Sequence, residues 1–107
     1  MDELLDSVHL SESAYERVLN ISIGTAVVSV EQLADALGCD DVIKVKGIGH
    51  DLKGMFGNLR LETLTQLAER IEREAESGKV SYSIWKLYEE LLAKVNALKE
   101  VTKNRGG

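Results

Sequence analysis

The chain has no proline and only one cysteine, Cys39, in 107 residues. The first absence removes the strongest helix breaker. The second excludes an internal disulfide, and with it any disulfide-stapled scaffold. Cys39 is expected to be a small buried residue or a neutral spacer near a helix end. No apolar run reaches the roughly 18 residues that a membrane-spanning helix needs, so no membrane partner is expected. Positive charge is also scarce. There are 13 Lys and Arg against 18 Asp and Glu, for a formal net charge of -5. That balance argues against a general nucleic-acid binder, although it leaves room for a local basic patch. The first residues, Met1-Asp-Glu-Leu-Leu-Asp6, lack the basic-then-apolar layout of a signal peptide. A reduced, cytoplasmic setting is therefore expected. His9, His50 and Cys39 show no metal-ligand spacing, and no metal or other cofactor is expected for the chain itself. The length suits one domain, residues 1–107, with a core of about 13–103 and enough apolar material to bury a real core.

What is present is helical periodicity. Leu61, Leu64, Leu67, Ala68, Ile71 and Ala75 recur at steps of three and four and predict an amphipathic helix over 61–76. Gly78 can stop it in the left-handed conformation. The run from Glu69 to Glu76 reads mainly as a solvated face with i,i+4 pairs. Ile84, Leu87, Tyr88, Leu91, Val95 and Leu98 predict a last helix over 82–103, capped by Ser81 or Ser83. Trp85 and Tyr88 on it read as core or interface packing.

Ser13 and Glu16 form a capping-box pattern, so a helix is expected to start near residue 13. The stretch from Ile21 to Val30 is rich in β-branched residues, and propensity alone allows a strand there. Leu19, Ile23, Val27, Val30, Leu33, Ala34 and Leu37 nevertheless keep a helical stripe, which favours one long helix over 13–37. A break near residue 29 is the alternative. Gly38 then ends this helix, and Asp40 or Asp41 can cap the next. Residues 2–9 could add a short N-terminal helix.

The segment 41–59 holds four of the nine glycines. Each glycine in a helix costs about 1 kcal/mol relative to alanine, so their presence needs a reason. At about 100° per residue, Val45, Ile48, Leu52, Met55, Phe56 and Leu59 gather on the side opposite His50. Lys46, Gly47, Lys53, Gly54 and Gly57 share the face of His50. That face offers an imidazole, whose neutral form has a lone pair near pH 7. It also offers two ammonium groups within a turn of the ring, and three positions with no side chain. Such a surface suits a phosphoryl group held on His50 and close approach by another protein.

His50-Asp-Leu-Lys-Gly54, followed by Gly57-Asn-Leu59, resembles the core of the histidine phosphotransfer (HPt) domain family, and the helix order agrees over about residues 13–100. The resemblance implies an all-α, antiparallel up-and-down four-helix bundle with a possible extra N-terminal helix. It implies that His50 accepts a phosphoryl group from a receiver-domain aspartate, or from a histidine kinase, and passes it to another receiver in a two-component phosphorelay. It makes the chain a carrier and not an enzyme, with Mg expected on the partner receiver. Carried over by position, Lys53 stabilises the phosphoryl group, Gly54 permits close docking, and Glu72 stands where the family often has Gln or Glu beside the phosphohistidine. Lys46, Gly47 and Gly57 join the site on geometry alone. Ile43, nearly under His50 and two turns away, is the expected receiver contact.

The chain departs from the family pattern at Met55 and Phe56, which replace small residues, and at Arg60, where glycine is common. Gly47 and Gly49 are also unusual, and could loosen the helix before His50. Two other readings stand beside the carrier. One is the phosphoacceptor module of a chemotaxis-type histidine kinase, although the initial Met and short C-terminus favour an independent small protein. The other is a non-phosphorylated helical adaptor or dimerisation module. A monomer is expected, with Tyr82 or Trp85 the residues that could support a dimer.

Overall fold

The computed structural model describes residues 12–106, which form four helices: α1 (Glu12–Gly38), α2 (Val42–Asn58), α3 (Glu62–Ala75) and α4 (Tyr82–Gly106). Each packs on its neighbour in the chain, and α4 returns to α1, which closes a four-helix bundle. The short connections suit neighbouring helices that run antiparallel. The possible helix over residues 2–9, and His9 with it, lies outside the described residues.

α1 runs unbroken through its β-branched stretch, and the break near residue 29 does not occur. Leu19, Ile23, Val30, Leu33 and Leu37 are buried, and Ala26 and Ala36 complete the stripe. The penalty for a β-branched residue in a helix is a few tenths of a kcal/mol, whereas burying a Val, Leu or Ile side chain returns roughly 1.5–3 kcal/mol. Tertiary packing therefore decides the conformation. The main core joins all four helices, with Phe56, Leu33, Leu52, Ile71, Ile84 and Leu91 among its fully buried side chains.

The first two loops share one device. Asp41 N–H bonds Ala36 O at 2.9 Å and Asp40 N–H bonds Leu37 O at 3.1 Å. Leu61 N–H bonds Phe56 O at 2.9 Å and Arg60 N–H bonds Gly57 O at 3.1 Å. Each pair is a Schellman closure, which needs a left-handed residue just past the helix. That residue is Asp40 in one loop and Arg60 in the other, both with φ 61°. The turn after α1 is thus made by Asp40, two residues beyond Gly38. Arg60 holds the left-handed conformation without being a glycine. Of the two candidate caps for α2, Asp41 is the one used, its side chain accepting from Lys44 N–H at 3.2 Å. Ser81 likewise caps α4 by accepting from Ile84 N–H at 3.3 Å. Gly78 takes φ 89°, as its position suggests. Cys39 is exposed, which removes the buried reading and leaves the spacer one.

Gly49 corrects the expectation that the glycines before His50 loosen the helix. It is buried between α2 and α3. A Cβ added there would lie 3.1 Å from the backbone N of Glu72, 3.3 Å from Ala68 O and 3.4 Å from Glu72 Cα. The missing side chain is what lets the two backbones meet. Gly47, one turn-half away, has no such neighbour within 4 Å.

The two glycines should therefore respond oppositely to substitution. Gly47→Ala is expected to raise stability by about 1 kcal/mol, the helix-propensity difference. Gly49→Val is expected to lower it by about 1–3 kcal/mol, the range for overpacking a tight contact. Urea unfolding of the two variants checks the split. Equal responses would mean that the α2–α3 contact does not depend on Gly49.

Candidate functional site

The helical wheel of α2 is realised in three dimensions. Val45, Ile48, Leu52, Phe56 and Leu59 are buried, and Met55 is half-buried. His50 points the other way, with its side chain 64% exposed. Lys46, Gly47, Gly54 and Gly57 are exposed on the same face. No atom lies within 4 Å of where a Cβ would stand at any of these three glycines, so the approach to the imidazole is open.

The close crossing at Gly49 brings α3 alongside this face and places Glu72 within reach of it. One carboxylate then serves two partners. Its Oε2 lies 3.0 Å from His50 Nδ1, and its Oε1 lies 2.9 Å from Lys53 Nζ. The Glu72 side chain is only 15% exposed, and Lys53 is half-buried beside it. The bond from Lys53 is the largest influence on Glu72 and, with the bond from His50, holds its carboxyl below the usual glutamate range against the opposing effect of burial. The same Lys53–Glu72 bond raises the Lys53 ammonium above the usual lysine range.

The ionised state of Glu72 settles the geometry of the ring. A carboxylate can only accept, so His50 Nδ1 must donate to it. In a neutral imidazole the lone pair then lies on Nε2. Nδ1 is tied to α3, so the arrangement presents an oriented nucleophilic nitrogen to solvent, with an ammonium group one turn along the helix.

Of the residues singled out in the sequence, the structure gathers His50, Lys53 and Glu72 into one hydrogen-bonded cluster. Lys46 shares the face but makes no hydrogen bond or ion pair among the described residues. Ile43 is 82% exposed on α2, on the N-terminal side of His50. Two features escape a reading of the sequence. One is Gly49, whose only signal was its place next to His50. The other is a shallow groove beside the site lined by Lys53, Glu69, Glu72, Arg73 and Glu76. Its Glu69–Arg73 pair, 3.0 Å long, was legible as i,i+4 spacing, but its position against Lys53 was not. Among the described residues, no three His, Cys, Asp or Glu side chains gather as a metal ion would require. No helix among them is long and apolar enough to cross a membrane.

A family model described as Hpt domain matches residues 17–100, which takes in most of α1, all of α2 and α3, and α4 to Glu100. No curated protein and no solved structure matches the chain.

The lowered carboxyl of Glu72 has a consequence for acid stability. A group with a depressed folded value contributes fully above its unfolded value, and that contribution is lost as pH falls through the folded value. Glu72→Gln should therefore flatten the acid limb of the stability curve. The gap between wild type and variant should shrink steadily as pH drops below about 5. Unfolding free energies measured by urea titration at stepped pH check this. A gap independent of pH would show that the contacts of Glu72 do not depend on its charge.

Proposed function

The chain belongs to the Hpt domain family, and from that premise we propose that His50 is its phosphoacceptor. Members of this family carry phosphoryl groups on histidine within phosphorelays and are generally not enzymes. The observation that carries the reading is the tethered ring: Nδ1 held 3.0 Å from Glu72, with the exposed imidazole offering Nε2 outward.

The Nε2 lone pair attacks phosphorus in an aspartyl phosphate of a receiver partner. The N–P bond forms as the bond from phosphorus to the aspartyl oxygen breaks, and that oxygen leaves as carboxylate. Nδ1 keeps its proton, so the phosphorylated ring carries positive charge, and the Glu72 carboxylate lies in contact with it. The reverse steps deliver the group to a second receiver. Phosphoryl transfer asks mainly for in-line positioning and charge neutralisation. Lys53 supplies charge from this side, by turning from Glu72 towards the incoming phosphoryl oxygens. Lys46, one turn before the ring, adds positive potential towards the acidic pocket of a receiver, where Mg is held on the partner's side. Gly47, Gly54 and Gly57 leave the opening through which that pocket closes on the ring, and Ile43 offers an apolar contact at its edge. A histidine kinase is the other expected source of the group.

Incubation with a phosphorylated receiver should place acid-labile, base-stable phosphate on the chain. His50→Gln should abolish that label while its helical circular dichroism stays unchanged, because the side chain is exposed. Retained acid-labile label on the variant refutes the assignment. Lys53→Ala should slow transfer by roughly tenfold to a hundredfold, at or below the range for removing one preorganised donor. An unchanged rate would make Lys53 a structural partner of Glu72 only. Ile43→Glu should weaken receiver binding in a titration, and an unaltered affinity removes Ile43 from the interface.

A further inference from the structure

The longest helix contains a run without charge. From Val18 to Val30 α1 holds no Asp, Glu, Lys, Arg or His, in a chain where 29% of residues are charged. One side of the run is accounted for by the core, through Leu19, Ile23, Ala26 and Val30. The other side faces water. Val18 is 47% exposed, Ile21 68% and Val28 52%, with exposed Gly24 and Thr25 between them. Val18, Ile21, Thr25 and Val28 follow the three-four-three spacing of a helix–helix seam. Thr25 Oγ1 already donates to Ile21 O at 3.2 Å, so its hydroxyl needs no water. Gly24 has nothing within 4 Å of where its Cβ would stand, which leaves room for a second backbone.

Among exposed residues the charges nearest the two ends of the strip are opposite in sign, the neighbouring Glu16 being half-buried. Arg17 precedes it, and Glu31 and Asp35 follow it; all three are exposed. None of them forms an ion pair among the described residues. We infer that this strip is the interface of a homodimer, in which two copies of α1 pack antiparallel about Gly24 and Thr25.

That register is self-complementary. Ile21 of one copy falls opposite Val28 of the other. Arg17 falls opposite the turn bearing Glu31 and Asp35, and the two-fold axis repeats the pairing. A parallel register would set Arg17 against Arg17 and Glu31 against Glu31, which like-charge repulsion disfavours. The two-signed ends thus select both the occupant, a second copy of this chain, and its direction. The strip from Val18 to Val30 is about 20 Å long at 1.5 Å per residue. One helix pair of that length falls at or below the small end of specific interfaces, roughly 1,200 Å², so the dimer is reversible and weak. α1 touches α2 and α4 but not α3, whereas the His50 cluster lies between α2 and α3. Both imidazoles therefore stay open in the dimer. The inference stands apart from the phosphoacceptor assignment, and it replaces the expected monomer. It leaves Tyr82 and Trp85 on α4 outside the interface.

Sedimentation equilibrium of the whole chain over the micromolar range tests it. The expected mass rises with concentration from 11.8 kDa towards twice that value. Ile21→Glu should hold the mass at the lower value with unchanged helical circular dichroism. Arg17→Glu should weaken association at least tenfold, and adding Glu31→Arg and Asp35→Arg to it should restore association. A single mass of 11.8 kDa at every concentration overturns the proposal. If Ile21→Glu also lowers the melting temperature of that monomer, the chain's own first residues cover the strip. A dimer that survives Ile21→Glu, or a charge swap that restores nothing, overturns it as well.

Discussion

The approach of α2 to α3 at Gly49 is the constraint on which the candidate site depends. A glycine inside a helix gives up conformational entropy of roughly 0.5–1 kcal/mol relative to alanine. Here that cost secures a backbone contact, with Ala68 O and Glu72 N where a methyl group would press. Any larger residue would push α3 outward. The reach of Glu72 to its two partners has little tolerance, since hydrogen bonds weaken steeply as they lengthen beyond about 3.2 Å. The residue next to the histidine therefore controls, through a second helix, how the histidine is held.

Glu72 then resolves a conflict of charges. The exposed face collects lysines, which leaves a patch of positive charge around the imidazole. A single carboxylate, mostly withdrawn from water, takes one ammonium and one ring N–H. It neutralises part of the resting face and orients the ring at the same time. Its two oxygens are both committed, so loss of either partner changes the environment of the other. The net charge of the whole chain, -5, conceals this arrangement because it sums over surfaces that do not meet.

Much of this was legible in the sequence, for identifiable reasons. The apolar stripes of all four helices were readable because burial enforces a period, and that period survived even through the β-branched run of α1. The outward aim of His50 followed from the same arithmetic. Glu72 was reachable only through resemblance to a family, because nothing in its local spacing ties a residue of α3 to one of α2. Gly49 was misread for a related reason: a glycine's local effect is visible in sequence, but the neighbour it admits is not. Asp40 was also hidden, since left-handed residues after a helix are usually glycine, and Arg60 showed only as a departure from a common glycine; Schellman hydrogen bonds hold both residues there.

The loop at Arg60 is short, and it joins the two helices that carry the whole cluster. His50, Lys53 and Glu72 thus sit on one helical hairpin, and the contact that aligns them is made within it. Closing a loop of a few residues costs little chain entropy, and contacts close in sequence form early and quickly. The imidazole, the ammonium group and the carboxylate between them are therefore brought together by contacts local in sequence. The return of α4 onto α1 closes a far longer stretch of chain and forms no part of that contact.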